Sequence, residues 1–427
     1  MTQTRTLESN GASRAEHLHG DGSCQRPRRE VVLIGAGHAN VEVLRRFCAA
    51  QLPRGVAVTL ITRSGSELYS GMLPGVASGR YDLDDARINV GALAGRAGAQ
   101  LIIDDAIGID LPRKAVLCRL APPVPFDRLS LDIGSGPTAG RVAGAEMHAL
   151  RVKPIEGFVP GFDSMRHRLR ERGYRGRLVM VGAGAAGIEL LLAVEHRLRS
   201  EARRAAADPD GLTFTLLAGS GDILPGFPAR FRRTVRRVLE DRRIAVRTNA
   251  RARMLDGHQV HLATGSPIDA DEVLWATEAA PANWLAETGL ALDREGFVRV
   301  DEALRCVGQE DVFAAGDTVS FDPCHLPKSG VYAVRSAPVL AQNLLASWTG
   351  QALRPFRPRS SVLYLLSTAD GRAVGTRNGF TFSGRWVFWL KDRIDRRFVA
   401  RLNASHDGSD RSPGHDRRAG KHGSVHG

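Results

Sequence analysis

Two short stretches of this chain share one construction, and together they restrict what it can fold into. Residues 31–43 read Val-Val-Leu-Ile-Gly-Ala-Gly-His-Ala-Asn-Val-Glu-Val, and residues 178–189 read Leu-Val-Met-Val-Gly-Ala-Gly-Ala-Ala-Gly-Ile-Glu. Each opens with four apolar residues, the pattern of a strand buried on both faces of a parallel sheet. Each then passes through glycines into an apolar helical stretch. Gly35 and Gly37, and later Gly182, Gly184 and Gly187, allow a sharp turn and let backbone approach a pyrophosphate, whose charge suits the N-terminus of the following helix. The second copy carries all three glycines of the dinucleotide fingerprint; in the first, Asn40 replaces the third. One glycine pair after a strand is compatible with an ordinary tight turn. Two such units imply an α/β chain of two Rossmann-like domains holding two dinucleotides side by side.

The remaining bulk features exclude several classes. At 427 residues there is room for two or three domains. No apolar run approaches the roughly 20 residues needed to span a bilayer. The first thirty residues lack the apolar core of a signal peptide, so a cytoplasmic location is expected. Five cysteines (Cys24, Cys48, Cys118, Cys306, Cys324) are scattered without a close pair, which fits a reducing compartment and argues against a disulfide framework or a zinc site; no metal is expected. The net charge of +13 suggests nucleic acid at first sight. Arginines are instead spread over helix faces, as in 230–243, with no aromatic-rich or helix-turn-helix pattern, and no nucleic-acid partner is expected.

Taken in order, residues 1–29 are polar and aperiodic, the composition of a disordered tail. A helix from Ala39 to Ala50 and a strand from Val56 to Ile61 follow the first glycine loop. The place about 20 residues beyond that loop, where an acid usually binds a ribose hydroxyl, holds Thr62 and Arg63. Tyr69 to Gly75, with Gly71 and Met72 at its centre, is a loop punctuated by Gly and Pro. Short strands are expected over 100–109 and 114–119, and residues 129–137 form a strand ending in a small-residue turn suited to close approach of a ligand. A basic helix around Ser164 to Arg172 precedes the second unit. Its crossover helix runs from Ala186 to about Ala206 and ends at the Asp208-Pro-Asp-Gly turn. The strand Thr213 to Leu217 ends at Ala218-Gly219-Ser220, with neither an acid to prefer NADH nor an arginine to welcome a 2′-phosphate; the donor is NADH or NADPH, with a lean to NADH. Residues 271–277 and 311–317 read as further strands, the latter running into Gly316-Asp317. The helix Gly330 to Trp348 points its N-terminus, at Val331, toward a bound anion or a flavin carbonyl. Trp386, Val387, Phe388, Trp389 and Leu390 open a stripe that Ile394, Phe398 and Leu402 continue, with Arg393, Arg396 and Arg397 opposite. Such a basic amphipathic helix suits a membrane surface, the alternatives being its own domain or a second subunit in a homodimer. Residues 403–427 return to a polar tail.

With these motifs assembled, the chain resembles the two-dinucleotide FAD/NAD(P)-binding pyridine nucleotide-disulfide oxidoreductases. Within them it is most similar to the type II NADH dehydrogenase-like group, including the flavoprotein domain fused to selenophosphate synthetase. The resemblance rests on Gly35-Ala-Gly-His38 with Val41-Glu-Val-Leu44, the Tyr69 to Gly75 loop, Val152-Lys-Pro-Ile155, Val181-Gly-Ala-Gly184 with Glu189, Phe313 to Asp317, and Trp389-Leu-Lys-Asp392. It implies an FAD-binding domain over 30–152 and 298–350, an NAD(P)H-binding domain over 153–297, and a small C-terminal α+β region over 351–402. It implies that Gly35, Gly37, His38, Ala39, Arg63, Gly71, Met72, Gly316, Asp317 and Val331 surround FAD, with Asp317 at the ribityl or pyrophosphate end. Gly182, Gly184 and Gly187 would hold the nicotinamide dinucleotide. Glu189 matches a family carboxylate near the stacked nicotinamide and flavin, where it positions the carboxamide or relays a proton; the plainer reading is a local cap or ion pair.

Two departures narrow the chemistry. Disulfide reductases need two cysteines close in sequence, and sulfide:quinone reductases need cysteines flanking the flavin; this chain has neither. Quinone-reducing relatives carry glutamines early in the helix that here reads Val334-Arg-Ser-Ala-Pro338. The expected activity is an FAD-dependent NAD(P)H dehydrogenase, with hydride passing from nicotinamide to flavin and on to an acceptor, a quinone first. The enzyme would work in the cytoplasm, peripheral on the cytoplasmic face of the inner membrane if the C-terminal helix meets lipid. The alternatives are a flavin reductase for a selenium or other small inorganic acceptor, and a flavin-bound redox sensor with little turnover.

Overall fold

The computed structural model describes residues 29–404 apart from positions 51, 54, 138–141, 278 and 360. The two tails expected at the ends of the chain lie outside the described residues, except that Arg29 already belongs to the first strand, Asn403 still belongs to the last helix and Ala404 caps it. In chain order the elements that position the site begin with β1 (Arg29–Ile34), α1 (His38–Ala49), β2 (Val56–Thr62), β3 (Gln100–Ile103) and β4 (Arg128–Leu131). The second unit contains β5 (Leu150–Arg151), α2 (Ile155–Glu171), β6 (Gly176–Val181), α3 (Ala185–Arg204), β7 (Leu212–Leu217), β8 (Ile244–Arg247) and β9 (Glu272–Trp275). The chain then returns through β10 (Val312–Ala314) and α4 (Gly330–Thr349). It ends in a three-stranded meander, β11 (Tyr364–Ser367), β12 (Ala373–Arg377) and β13 (Phe380–Gly384), followed by α5 (Arg385–Asn403).

Two five-stranded sheets result, in orders β10-β4-β1-β2-β3 and β5-β9-β6-β7-β8, parallel throughout. In each, the strand that feeds the glycine loop is central, so both loops open at the carboxyl edge of a sheet, where α/β folds bind ligands. Val31 to Ile34 are essentially inaccessible, each such side chain contributing about 1.5–3 kcal/mol of burial. Their neighbours across the sheet are also apolar: Leu33 pairs with Leu60, and Ile34 with Ile61 and Leu131.

Sequence and structure differ in several elements; the stretch Tyr69 to Gly75, expected as a loop, is helical from Ser70 onward. The basic helix begins at Ile155, not near Ser164; Gly157, Pro160 and Gly161 hide its start. The expected single apolar stripe of α5 is split. Val387, Phe388, Phe398, Val399 and Leu402 face inward, while Trp386 and Trp389 stand out at 57% and 60% exposure beside Ile394.

The C-terminal segment joins the two units. Phe398, Val399 and Leu402 enter the core of the first, whereas Leu366 and Val374 enter the core of the second. Among the described residues no helix is long and apolar enough to cross a membrane.

Candidate active site

The first glycine loop is built around a residue that sequence reasoning passed over. Gly35 has φ +84°, and a Cβ there would lie 2.4 Å from the carbonyl oxygen of Asp132. Gly37 donates its N–H to that same oxygen at 3.1 Å. The Asp132 carboxyl fills the space in front of Gly37: a Cβ on Gly37 would lie 2.4 Å from Asp132 Cγ, and one on Gly316 2.2 Å from Asp132 Oδ1. Oδ2 accepts the N–H groups of Ala39 at 2.6 Å and Asn40 at 3.1 Å in the first turn of α1. Gly37 therefore makes room for a carboxyl of the chain itself. Burial pushes the Asp132 pKa up to about 7, against its two backbone hydrogen bonds and with the help of nearby Asp317.

Asn40, the departure from the fingerprint, is likewise accounted for. Its amide donates to the carbonyls of Ile34 (3.0 Å) and Gly35 (2.9 Å), and its oxygen accepts from Ser130 at 2.8 Å. A buried amide with those partners ties helix to strands where a glycine would merely allow them to touch.

Around this loop the structure gathers most of the residues expected to hold a flavin. Asp317 pairs with Lys153 at 3.0 Å and accepts from Ser135 at 3.3 Å. His38 lies 3.4 Å from Ser70 Oγ and packs edge-on to Tyr69. Burial lowers its pKa to about 4, so its imidazole is neutral near pH 7. A Cβ on Gly330, the residue before Val331, would lie 3.8 Å from His38 Nε2, which brings the N-terminus of α4 to the same place. The Met72 side chain is fully buried in the first core, so only its backbone could meet a ligand. Arg63 stands apart, paired with Asp105 at 2.7 Å in a cleft of about 530 Å³ that Arg119 and Trp284 also line. That cleft lies at the end of β2.

The second loop has a different character. Gly182 has φ +117°, and a Cβ would meet the Ala276 carbonyl at 2.2 Å; one on Gly187 would meet the Gly182 carbonyl at 2.1 Å. These two glycines are required by the fold. Gly184 faces open space. Among the described residues no side chain accepts from the first-turn amides of α3, so this helix end is free for a phosphate.

Glu189 is brought to the first unit by a residue of the last helix. Lys391 Nζ lies 3.6 Å from Glu189 Oε1, 2.7 Å from Asp395 Oδ2 and 2.9 Å from the Gly71 carbonyl. Glu189 Oε1 also accepts the Ser367 N–H at 2.8 Å, and Tyr69 reaches Asp395 at 3.3 Å. Burial opposes charge on Lys391, but Glu189 and Asp395 outweigh it and keep the ammonium form. Burial raises the Glu189 pKa, with Lys391 pulling the other way. A buried cation between two carboxylates carries a net negative charge when all three are ionised, so the cluster readily holds one extra proton. Lys391 belonged to a quoted motif, yet nothing in its sequence setting marked it as Glu189's partner.

The match to known proteins settles the family. Residues 29–343 match the model of the pyridine nucleotide-disulphide oxidoreductases. The chain belongs to that family. It is an oxidoreductase, and the cofactors of the family are FAD and a nicotinamide dinucleotide. It is 25% identical over 345 residues to the NADH dehydrogenase-like protein YutJ of Bacillus subtilis, covering 81% of this chain and 91% of that one. It is 22% identical over 400 residues to the type II NADH:quinone oxidoreductase of Staphylococcus aureus, covering 88% and 96%. Its fold is similar to that of the sulfide:quinone oxidoreductase of Aquifex aeolicus, with TM-score 0.75, 16% identity and coverage of 88% and 91%. It is also similar to NDH2 from Plasmodium falciparum in complex with NADH, with TM-score 0.72, 13% identity and coverage of 87% and 97%.

Proposed function

We propose that this chain oxidises NADH, or less readily NADPH, through FAD bound at the first loop, and delivers the electrons to a quinone. The observation that carries this reading is the junction at Lys391. One ammonium touches Glu189 of the nicotinamide-side helix, the carbonyl of Gly71 in the flavin-side loop, and Asp395 of the C-terminal helix. FAD held at the first loop would supply a centre that accepts hydride from the nicotinamide and returns two electrons to an acceptor.

The residues supply placement and protons. Gly35, His38, Ala39, Gly316 and Asp317 would hold the flavin nucleotide, with Arg63 at its adenosine end and Val331 at the start of α4. Gly182, Gly184 and Gly187 would hold the donor. Burial, which shields Glu189 from water, raises its pKa, with Lys391 pulling the other way. The balance NADH + H⁺ + quinone → NAD⁺ + quinol requires one proton from the medium, and Glu189 is placed to deliver it while Lys391 keeps the carboxylate in position. The exposed Trp386, Trp389 and Ile394, flanked by Arg385, Arg393 and Arg397, support attachment of α5 to an anionic membrane surface, where quinones reside.

A second reading is a small inorganic anion, selenite for example, as acceptor. It draws support from Arg335, in the second turn of α4, whose Nη1 is buried with no hydrogen-bond partner among the described residues. The deciding experiment is anaerobic mixing of the yellow protein with NADH and with NADPH, followed by quinone or selenite. Bleaching by NADH and rapid recolouring by quinone is the expected result. A flavin bleached by neither donor would leave a redox sensor, and recolouring by selenite alone would replace the quinone.

A further inference from the structure

The two glycine loops present their helix ends differently. The first turn of α3 is open, whereas in α1 the amides of Ala39 and Asn40 are already taken by Asp132 Oδ2. Asp132 is 2% exposed, and among the described residues its Oδ1 accepts no hydrogen bond. Its carboxyl lies between Gly37 and Gly316, either of which would collide with it if given a side chain. The charged and titratable groups around it are few. Asp317 follows Gly316, adds negative charge and is paired with Lys153 at 3.0 Å. His38, on α1 itself, is neutral near pH 7. Ser130 and Thr318, the polar side chains nearest on β4 and beyond β10, carry no charge.

We propose that Asp132 links FAD binding to a proton, its carboxyl being neutral in the flavin-loaded chain and ionised in the flavin-free chain at alkaline pH. The diphosphate of a flavin nucleotide seeks the same helix end and brings two negative charges to it. An ionised Asp132 adds a third in a site from which water is excluded, and its oxygens can only accept. The neutral acid removes that charge. Its carbonyl oxygen, Oδ2, still accepts from Ala39 and Asn40, and a hydroxyl at Oδ1 becomes a donor suited to a phosphate oxygen. Each FAD bound above neutral pH therefore takes up one proton. The value of about 7 for the carboxyl places the transition in the physiological range.

This inference rests on the placing of FAD at the first loop, and the test separates the two. The full chain is stripped of flavin and titrated with FAD, followed by flavin fluorescence, between about pH 6 and pH 8.5. The dissociation constant is expected to stay level near pH 6 and to rise nearly tenfold per pH unit above about 7. Asp132→Asn, which keeps an accepting oxygen and removes the titration, is expected to flatten that profile. It should bind FAD at least about tenfold more tightly than the unsubstituted chain at pH 8.5. Calorimetry of the unsubstituted chain in two buffers of different ionisation enthalpy gives the proton count without any variant. Uptake of close to one proton per FAD is expected near pH 8 and almost none near pH 5.5. FAD binding with a level pH profile, no proton uptake near pH 8, or an unchanged slope in a folded Asp132→Asn overturns the proton link alone. Failure to bind FAD at any pH overturns the placing of the flavin as well.

Discussion

Lys391 Nζ, on the last helix of the chain, lies 3.6 Å from Glu189 Oε1 on the helix that follows the second glycine loop. The contact makes the C-terminal region part of the candidate site, because the same ammonium also accounts for the buried carboxylate of Asp395 and the carbonyl of Gly71. If Glu189 delivers a proton to the acceptor, replacing it with Gln keeps the shape and removes the proton. NADH should still bleach the flavin of Glu189→Gln at close to the normal rate, while turnover with a soluble quinone falls on the order of 10²-fold. Stopped-flow reduction and steady-state turnover on the same preparation separate the two. Equal losses in both half-reactions would assign Glu189 to the nicotinamide instead.

Lys391 offers a stability test. Lys391→Met leaves Glu189 and Asp395 buried without their cation, a situation that costs about 3–5 kcal/mol when a buried pair is broken from one side. Lys391→Arg retains the charge and should lose much less. Denaturant titrations of both variants against the unsubstituted chain give the comparison; similar losses would mean that packing, not charge, is what Lys391 contributes.

Gly184 is the one glycine of the second loop that the fold does not require. Its φ of −75° is open to any residue, and nothing lies within 4 Å of where a Cβ would point. Gly184→Val should leave stability within about 1 kcal/mol and obstruct only the approach of the nicotinamide dinucleotide. The expected result is a KM for NADH raised at least about tenfold with flavin content unchanged. Gly182→Val or Gly187→Val, each meeting backbone near 2 Å, should instead fail to accumulate as folded protein.

How far the sequence was legible depends on whether a feature is local. The quartets Val31 to Ile34 and Leu178 to Val181 could be read as buried strands because each short apolar run, suited to a sheet covered on both faces, ends at a glycine turn. Glycines with fixed spacing then placed both loops. Asn40 broke the spacing, and no local rule says that its amide would replace a glycine by bonding Ile34, Gly35 and Ser130. Asp132 looked like one polar residue in a small-residue turn; its role follows from β4 lying beside β1, a pairing remote in sequence. In α5, helical periodicity found the apolar residues but could not divide them, because the inner set covers two cores and leaves Trp386 and Trp389 outside.

Those two tryptophans carry the membrane prediction. Arg393 stacks over the Trp389 ring at 5.5 Å, an arrangement in which a cation and an aromatic face are presented together at the surface. Vesicles with anionic lipid should retain the protein in sedimentation. Replacing both Trp386 and Trp389 with Ser should reduce that retention about tenfold or more while soluble-quinone turnover persists. Retention of the double variant at the original level would assign this face to something other than lipid.

The last prediction concerns pH and the contact between the two nucleotide units. Glu67, on the short strand Ser66–Leu68, shares a hydrogen bond with Glu156 in the first turn of α2. Burial first, and then the neighbouring Glu156 carboxylate, push the Glu67 pKa up to about 8 from an ordinary 4.5. Between those values the folded chain binds a proton that the unfolded chain has released, so stability falls as pH rises. The contribution is complete below about pH 4.5 and is lost as pH passes through about 8. Glu67→Gln imitates the protonated acid at every pH. Its melting temperature relative to the unsubstituted chain should therefore climb from pH 5 to pH 9, reaching an advantage on the order of 2 kcal/mol at the alkaline end. Melting curves of the two proteins across that range decide it. A constant difference would mean that Glu67 is ionised in the folded chain as in the unfolded one and that the two units meet there without a shared proton.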